Sequence, residues 1–261
     1  MFGMISVDEI LKSQSGELNV LALRQGAKLC ELSYAPTAPT VEGFESFAFA
    51  NDNAEFFCLK SDKAIFLCFR GTDSKADALK ADANFHLIPF HGGLAHEGYV
   101  KHWMKCKSKV MRLIRDAKPD VSLYWLGHSL GASTAVMGIT DIYLEGMRKP
   151  AGVYLYGCPR PSNEAFAKAW DDNFSGVTWS CINRADIVPV AGRKGMKNIG
   201  RIVRINHAFQ AVTTPQTLAQ RIKERLVNLF LSGDAKQSIN SHLMSSYIES
   251  LGKICEHAKP L

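Results

Sequence analysis

Residues 125–133 read WLGHSLGAS, and Gly127, Ser129 and Gly131 within them make the pattern Gly-x-Ser-x-Gly. At about 7% per residue type, that triplet arises by chance in roughly one chain in ten of this length, so its setting has to decide its meaning. Ahead of it, VSLYWLG (121–127) is almost wholly apolar, as a strand buried on both faces would be. Behind it, ASTAVMGITDIYLEGM (132–147) is rich in small residues and reads as a helix. A serine on a tight turn between a buried strand and a helix has the setting of a hydrolase nucleophile, with glycines where larger side chains would block the approach.

The surrounding chain repeats the same alternation. A helix is expected over residues 20–34, with Leu21, Leu29 and Leu32 on its inner face, and Pro36 and Pro39 beyond it. FESFAFA, EFFCLK and KAIFLCFRGT read as strands, and residues 98–117 as a helix whose stripe is Val100, Trp103, Met104, Val110, Met111 and Ile114. Further strands are expected in AGVYLYGCP, GVTWSCI and GRIVRI, and helices in SNEAFAKAWDDNF, PQTLAQRIKERLVNLFL and NSHLMSSYIESLGKI. This order predicts an α/β class: a mostly parallel sheet with helices on both faces.

Bulk properties agree with a globular chain. It has 261 residues, 46% hydrophobic and 21% charged, enough for a full core and without a linker-like stretch, so one domain is expected. No apolar run approaches 18 residues, and the opening MFGMISVDEILKSQSGE lacks the form of a secretory leader, so neither a transmembrane segment nor a conventional signal is expected. The seven cysteines are odd in number and scattered, which suits free thiols in a cytoplasmic chain, or one exported by a leaderless route. No Cys and His spacing suggests a metal site. Of the net charge of +6, much is concentrated: residues 101–118 hold seven Lys or Arg against one Asp, and residues 191–225 hold eight against one Glu. Such stretches suit an anionic membrane surface, and equally the solvated faces of ordinary helices. Without a reader motif, no nucleic-acid partner is expected.

A serine nucleophile needs a histidine to take its proton and a carboxylate to orient that histidine, in the chain order Ser, acid, His for this kind of sheet. Asp186 follows the strand GVTWSCI in a strand-end loop, where sheet enzymes carry function. His207, at the end of a strand, and His242, at the opening of the last helix, both satisfy the order, and spacing leaves both open. His128 adjoins the serine and is expected to point away; His257 lies in a polar tail.

FRGTD (69–73), HEGY (96–99), GHSLG (127–131), YGCPRPSN (156–163), NRADIVP (183–189) and SHLMSSY (241–247) together resemble the class 3 lipase family, fungal triacylglycerol lipases and their feruloyl esterase relatives, over about residues 20–250. The resemblance implies an α/β-hydrolase fold, a triad of Ser129, Asp186 and His242, and an oxyanion hole from Thr72 and the N–H of Leu130. It gives His96 a structural role and needs no cofactor. The implied substrate is a carboxylic ester of a lipid, with phospholipids or soluble feruloyl-type esters as alternatives, or binding without catalysis. It also implies a lid-like insertion at about 74–92, here rich in Lys and Asp, and a helical C-terminal portion at about 208–261. Within that portion, residues 217–231 form an amphipathic basic stretch suited to lying on an anionic membrane or to packing on the sheet.

Overall fold

The computed structural model describes residues 6–13, 15–51, 54–72, 86–190, 195–213 and 235–257. Along the chain these form α1 (Asp8–Lys12), α2 (Val20–Leu32), β1 (Glu45–Asn51), β2 (Ala54–Lys60), β3 (Ala64–Phe69), β4 (Leu87–Phe90), β5 (Gly93–His96) and α3 (Glu97–Arg115). Then come β6 (Ser122–His128), α4 (Leu130–Leu144), β7 (Gly152–Tyr156), β8 (Ser162–Asn163), α5 (Glu164–Phe174) and β9 (Thr178–Asn183). The last are β10 (Met196–Lys197), β11 (Arg201–Ile205), β12 (Ala211–Val212), α6 (Ala235–His242) and α7 (Met244–His257).

Eight strands make the main sheet in the order β1-β2-β3-β6-β7-β9-β11-β12. From β3 to β11 every pairing is parallel, and the antiparallel strands stand at the two edges. Every residue of β3 is buried, because the sheet is covered on both faces. Its alternating side chains divide between two cores: Ile65, Leu67 and Phe69 join α3, α4 and α5 on one face, while Phe66 and Cys68 join α2 and α7 on the other. Phe69 stacks on Trp125 of β6, ring centroids 5.5 Å apart, so the strand that leads to the Thr72 turn and the strand that leads to Ser129 are packed as one unit. This is an α/β-hydrolase architecture.

Local sequence explains the helix starts. Asn19 accepts the Ala22 N–H, His96 accepts the Gly98 N–H, and Asn163 accepts the Phe166 N–H, each satisfying a first-turn donor that no helix carbonyl can reach. Arg112 and Arg115 occupy the last turn of α3, where the negative end of the helix dipole favours them.

Several expectations are corrected. Met104 and Leu21, assigned to inner faces, are each 48% exposed; the α3 stripe closes through Tyr99 and Cys106 instead, and α2 turns Ala22 and Leu23 inward. A second sheet, β10-β8-β5-β4, is built from strands of two to four residues, too short to show a period. Its strand β4 lies in the last part of the segment expected as a lid; residues 74–85 of that segment lie outside the described residues. The portion from 208 onward opens with β12, not a helix, and residues 214–234, which include the basic amphipathic stretch, also lie outside the described residues. The expected last helix is two, α6 and α7, broken at Leu243, so His242 closes α6 and does not open a helix. All seven cysteines are free thiols.

Candidate active site

Ser129 joins β6 to α4 at φ 55°, ψ −128°, a conformation that side-chain-bearing residues rarely adopt and that costs on the order of 1–3 kcal/mol. The surroundings hold it there. Its N–H donates to the Tyr156 carbonyl at 2.9 Å and its carbonyl accepts the Ala132 N–H at 3.0 Å. The flanking glycines have no room for a side chain: a Cβ on Gly127 would sit 2.6 Å from the Ala132 backbone, and one on Gly131 would strike the carbonyls of Phe69 and Arg70. The turn is therefore pressed against the strand that ends at Phe69, which places the following residues, Gly71 and Thr72, beside the serine. A Cβ on Gly71 would meet the Ser129 Cβ at 2.9 Å.

His242 Nε2 lies 2.9 Å from Ser129 Oγ, and its Nδ1 lies 2.8 Å from Asp186 Oδ2. A carboxylate only accepts, so Nδ1 carries the proton and Nε2 is the acceptor facing the serine hydroxyl. Asp186 follows β9 in a short turn closed by its own N–H to the Asn183 carbonyl at 2.8 Å. Its side chain is fully buried: Oδ1 accepts the Val188 N–H at 2.9 Å, and Oδ2 accepts the Tyr247 hydroxyl at 2.6 Å. Burial, followed by the Asp186 charge, pushes the Tyr247 phenol well above its usual pKa, so it stays a donor. Asn183 clamps the element that carries the histidine, its amide donating to the Ser241 carbonyl and to Ser246 Oγ, both at 3.0 Å.

The groups arrive from the carboxyl ends of parallel strands in the middle of the sheet: Thr72 after β3, Ser129 after β6, Asp186 after β9. Leu130 and Gly131 begin α4, where backbone N–H groups have no helical acceptor and the helix dipole favours negative charge.

Of the two histidines that spacing left open, His242 is the one bonded to Ser129; His207 lies in the turn between β11 and β12. His257 ends α7 and is exposed. His96 is buried, caps α3 through Nδ1 and stacks on Tyr99 with centroids 4.2 Å apart. His128 does not point away. It is buried with its ring 4.6 Å from that of His242, because the α6–α7 junction folds back over the end of β6. Tyr34, Asn183 and Tyr247 were not singled out in the sequence; Asn183, which opens NRADIVP, and Tyr247, an aromatic hydroxyl five residues after His242 inside SHLMSSY, carried a signal, and Tyr34 lay in none of the quoted motifs. Among the described residues no group of three or more His, Cys, Asp or Glu is arranged to hold a metal, and no helix is long and apolar enough to cross a membrane.

The model of the family Lipase (class 3) matches residues 66–194, which contain Thr72, Ser129, Leu130 and Asp186. Residues 66–194 belong to the class 3 lipase family. His242 and Tyr247 lie beyond the matched span. The secreted mono- and diacylglycerol lipase A of Penicillium camembertii is 30% identical over 155 residues, covering 55% of this chain and 50% of that protein. The lipase of Rhizopus niveus is 28% identical over 145 residues, covering 51% of this chain and 36% of the other. The chain thus spans half or less of the length of these relatives. The crystal structure of a lipase from Rhizopus microsporus var. chinensis shares the fold with a TM-score of 0.62 at 22% identity, covering 78% of this chain and 83% of that one. The Lip2 lipase of Yarrowia lipolytica does so with a TM-score of 0.61 at 18% identity, covering 75% and 84%.

Proposed function

We propose that this chain is a serine hydrolase that cleaves carboxylic esters of lipids, acylglycerols foremost, through an acyl-enzyme. The observation that carries the reading is the unbroken line Ser129 Oγ, His242 Nε2, His242 Nδ1, Asp186 Oδ2, ending on a buried carboxylate. The mono- and diacylglycerol lipase activity named for the Penicillium relative supports the substrate class.

The chemistry follows from the geometry. Ser129 Oγ attacks the ester carbonyl while its proton passes to His242 Nε2, and Asp186 steadies the resulting imidazolium. The carbonyl oxygen becomes an oxyanion, met by the N–H groups of Thr72 and Leu130 and by the Thr72 hydroxyl; one such donor contributes about 3 kcal/mol to the transition state. The tetrahedral species collapses, the C–O bond to the alcohol breaks, and His242 returns its proton to the departing alkoxide. Water then gives a proton to His242 and attacks the acyl-serine, releasing the carboxylic acid and restoring Ser129. No step calls on a cofactor.

Peripheral contact with an anionic membrane is a second reading, supported by the outer face of α3 and the turn after it, where Lys101, Arg112, Arg115 and Lys118 are exposed. The free thiols support a cytoplasmic or otherwise reducing place of action.

The test is release of free acid by wild type and Ser129→Ala from long- and short-chain triacylglycerols, monoacylglycerols, neutral and anionic phospholipid vesicles, and methyl ferulate. Serine-dependent turnover of acylglycerols is expected. Turnover confined to short or aromatic esters would replace the lipid reading with a soluble esterase, and equal rates in both proteins would remove Ser129 from the chemistry. On anionic vesicles, activity that does not fall as salt rises above about 0.1 M would remove the membrane reading.

A further inference from the structure

His128 ends β6 immediately before Ser129, is buried, and makes two short hydrogen bonds whose directions are fixed by chemistry. Its Nε2 lies 2.7 Å from the main-chain carbonyl oxygen of His242. A carbonyl only accepts, so Nε2 bears the hydrogen. In the neutral ring Nδ1 is then an acceptor, and it lies 2.6 Å from the Tyr34 hydroxyl, which must donate. The same hydroxyl oxygen accepts the Gly71 N–H at 3.1 Å. One directed chain therefore runs Gly71 N–H to Tyr34 O–H to His128, and from His128 N–H to the carbonyl of His242.

The two ends of this chain are the two halves of the reaction centre. Gly71 precedes Thr72 on the turn beside Ser129, and His242 is the group bonded to Ser129 Oγ. An ester carbonyl must meet both at once: its oxygen at the turn, its leaving group at His242. The relay joins these two backbones although they are 171 residues apart in the sequence.

The surroundings keep the chain in this sense. Burial holds the His128 imidazole well below its usual pKa, and the neighbouring His242 ring acts the same way, outweighing the bond to the His242 carbonyl. Among the described residues facing the relay, Arg70 lies over the Tyr34 ring at 5.4 Å and is ion-paired to Glu55, the tilted His242 ring lies 4.6 Å from that of His128, and the Tyr247 ring meets His128 edge-on at 6.3 Å. A proton added to His128 Nδ1 would oppose the Tyr34 O–H, force that hydroxyl to turn toward the Gly71 N–H, and set a second positive charge beside the imidazolium that the reaction forms.

We propose that Tyr34 and His128 are positioning residues that lock the Gly71–Thr72 turn to the main chain of His242, so that turnover depends on them while substrate binding does not. Neither touches the ester; each acts through a backbone group that does, or that adjoins one. An interaction that matters only when turn and base engage the same tetrahedral carbon lowers kcat and kcat/KM together and leaves KM in place. The inference rests on the assignment of Ser129 as nucleophile, and the experiment separates the two.

Hydrolysis of p-nitrophenyl butyrate is measured for wild type, Ser129→Ala, Tyr34→Phe, His128→Gln, His128→Asn and His128→Leu, with sites counted by titration with a p-nitrophenyl alkylphosphonate. Tyr34→Phe keeps the ring and removes the relay; its kcat per titrated site should fall about tenfold with KM within about twofold, since small misplacements of reacting groups are costly. His128→Gln sets an amide N–H near the position of Nε2 and keeps the His242 link, while His128→Asn keeps an acceptor for Tyr34. Each should retain more kcat than His128→Leu, which keeps neither. A role confined to packing would lower the melting temperature and the number of titratable sites while leaving kcat per site unchanged; that result in Tyr34→Phe and His128→Gln overturns the inference. Equal hydrolysis by wild type and Ser129→Ala overturns the nucleophile assignment first, and the inference with it.

Discussion

The hydroxyl of Tyr247 donates to Asp186 Oδ2 at 2.6 Å, the same oxygen that accepts from His242 Nδ1. The Cys181 carbonyl lies farther from that hydroxyl, at 3.3 Å, so its single proton goes to the carboxylate. Tyr247 thus neutralises part of a buried charge and fixes the oxygen on which His242 turns. Tyr247→Phe should lower unfolding free energy by about 1.5–3 kcal/mol, the usual worth of a hydrogen bond to a charged group, and reduce kcat severalfold. Unchanged urea unfolding and unchanged kcat together would show the bond to be incidental.

Asp186→Asn should fold and lose about 10⁴ in kcat, because an amide at this place can favour the wrong tautomer of His242. His242→Ala should be at least as inactive, whereas His207→Ala should hydrolyse esters at the wild-type rate. Robust activity in His242→Ala, measured on any ester that wild type cleaves, would transfer the base to another residue.

Two buried histidines make stability fall in acid. Burial holds both His128 and His96 below the ordinary value of 6.5, Glu97 opposing and His86 assisting the effect at His96. As pH falls through about 6.5 the unfolded chain takes up protons that the folded chain refuses, so the unfolded state gains. Their contribution is complete above about pH 6.5 and is lost progressively as pH falls toward the folded-state values. Urea midpoints at about pH 7.5 and about pH 5 should differ less in His128→Gln than in wild type. An equal difference in both proteins would mean that His128 is protonated in the fold.

Far from the serine, Asp141 of α4 is buried and accepts from Trp103 Nε1 at 2.7 Å, Lys107 Nζ at 2.9 Å and His91 Nε2 at 2.9 Å. Burial pushes this carboxyl up, and the three donors more than offset it, leaving it below its usual pKa. His91 stands at φ 44° in the β4–β5 turn, so the network pins that hairpin to α4. Asp141→Ala should cost about 2–4 kcal/mol in denaturant unfolding with kcat per titrated site preserved, because it strands buried donors without touching the reaction centre.

What could be seen in the sequence was governed by how local its cause is. The strand, elbow and helix around Ser129 are set by adjacent residues, so apolar runs and two glycines sufficed. The choice between His207 and His242 was not local: both follow the serine and the acid in order, and only the placement of α6 at the end of β9, held by Asn183, selects one. His128 was misplaced for the same reason, since its partners lie 94 and 114 residues away. Strands β8 and β10, two residues each, exist only because β5 starts a ladder that β8 joins and β10 extends. Met104 and Leu21 show the limit of a helical stripe: apolar character marks a residue that tolerates burial, not one that the fold has room to bury.

Helix α7 packs on α2, and from these two helices come Tyr247 and, just past the end of α2, Tyr34. The site of Ser129, His242 and Asp186 is consequently stitched together from both extremities of the described chain around an elbow supplied by its middle. During synthesis Ser129 emerges more than a hundred residues before His242. Until the segment of α6 and α7 docks, the growing polypeptide holds a serine hydroxyl with no proton acceptor. The constellation is complete only once that segment has packed against α2 and the sheet.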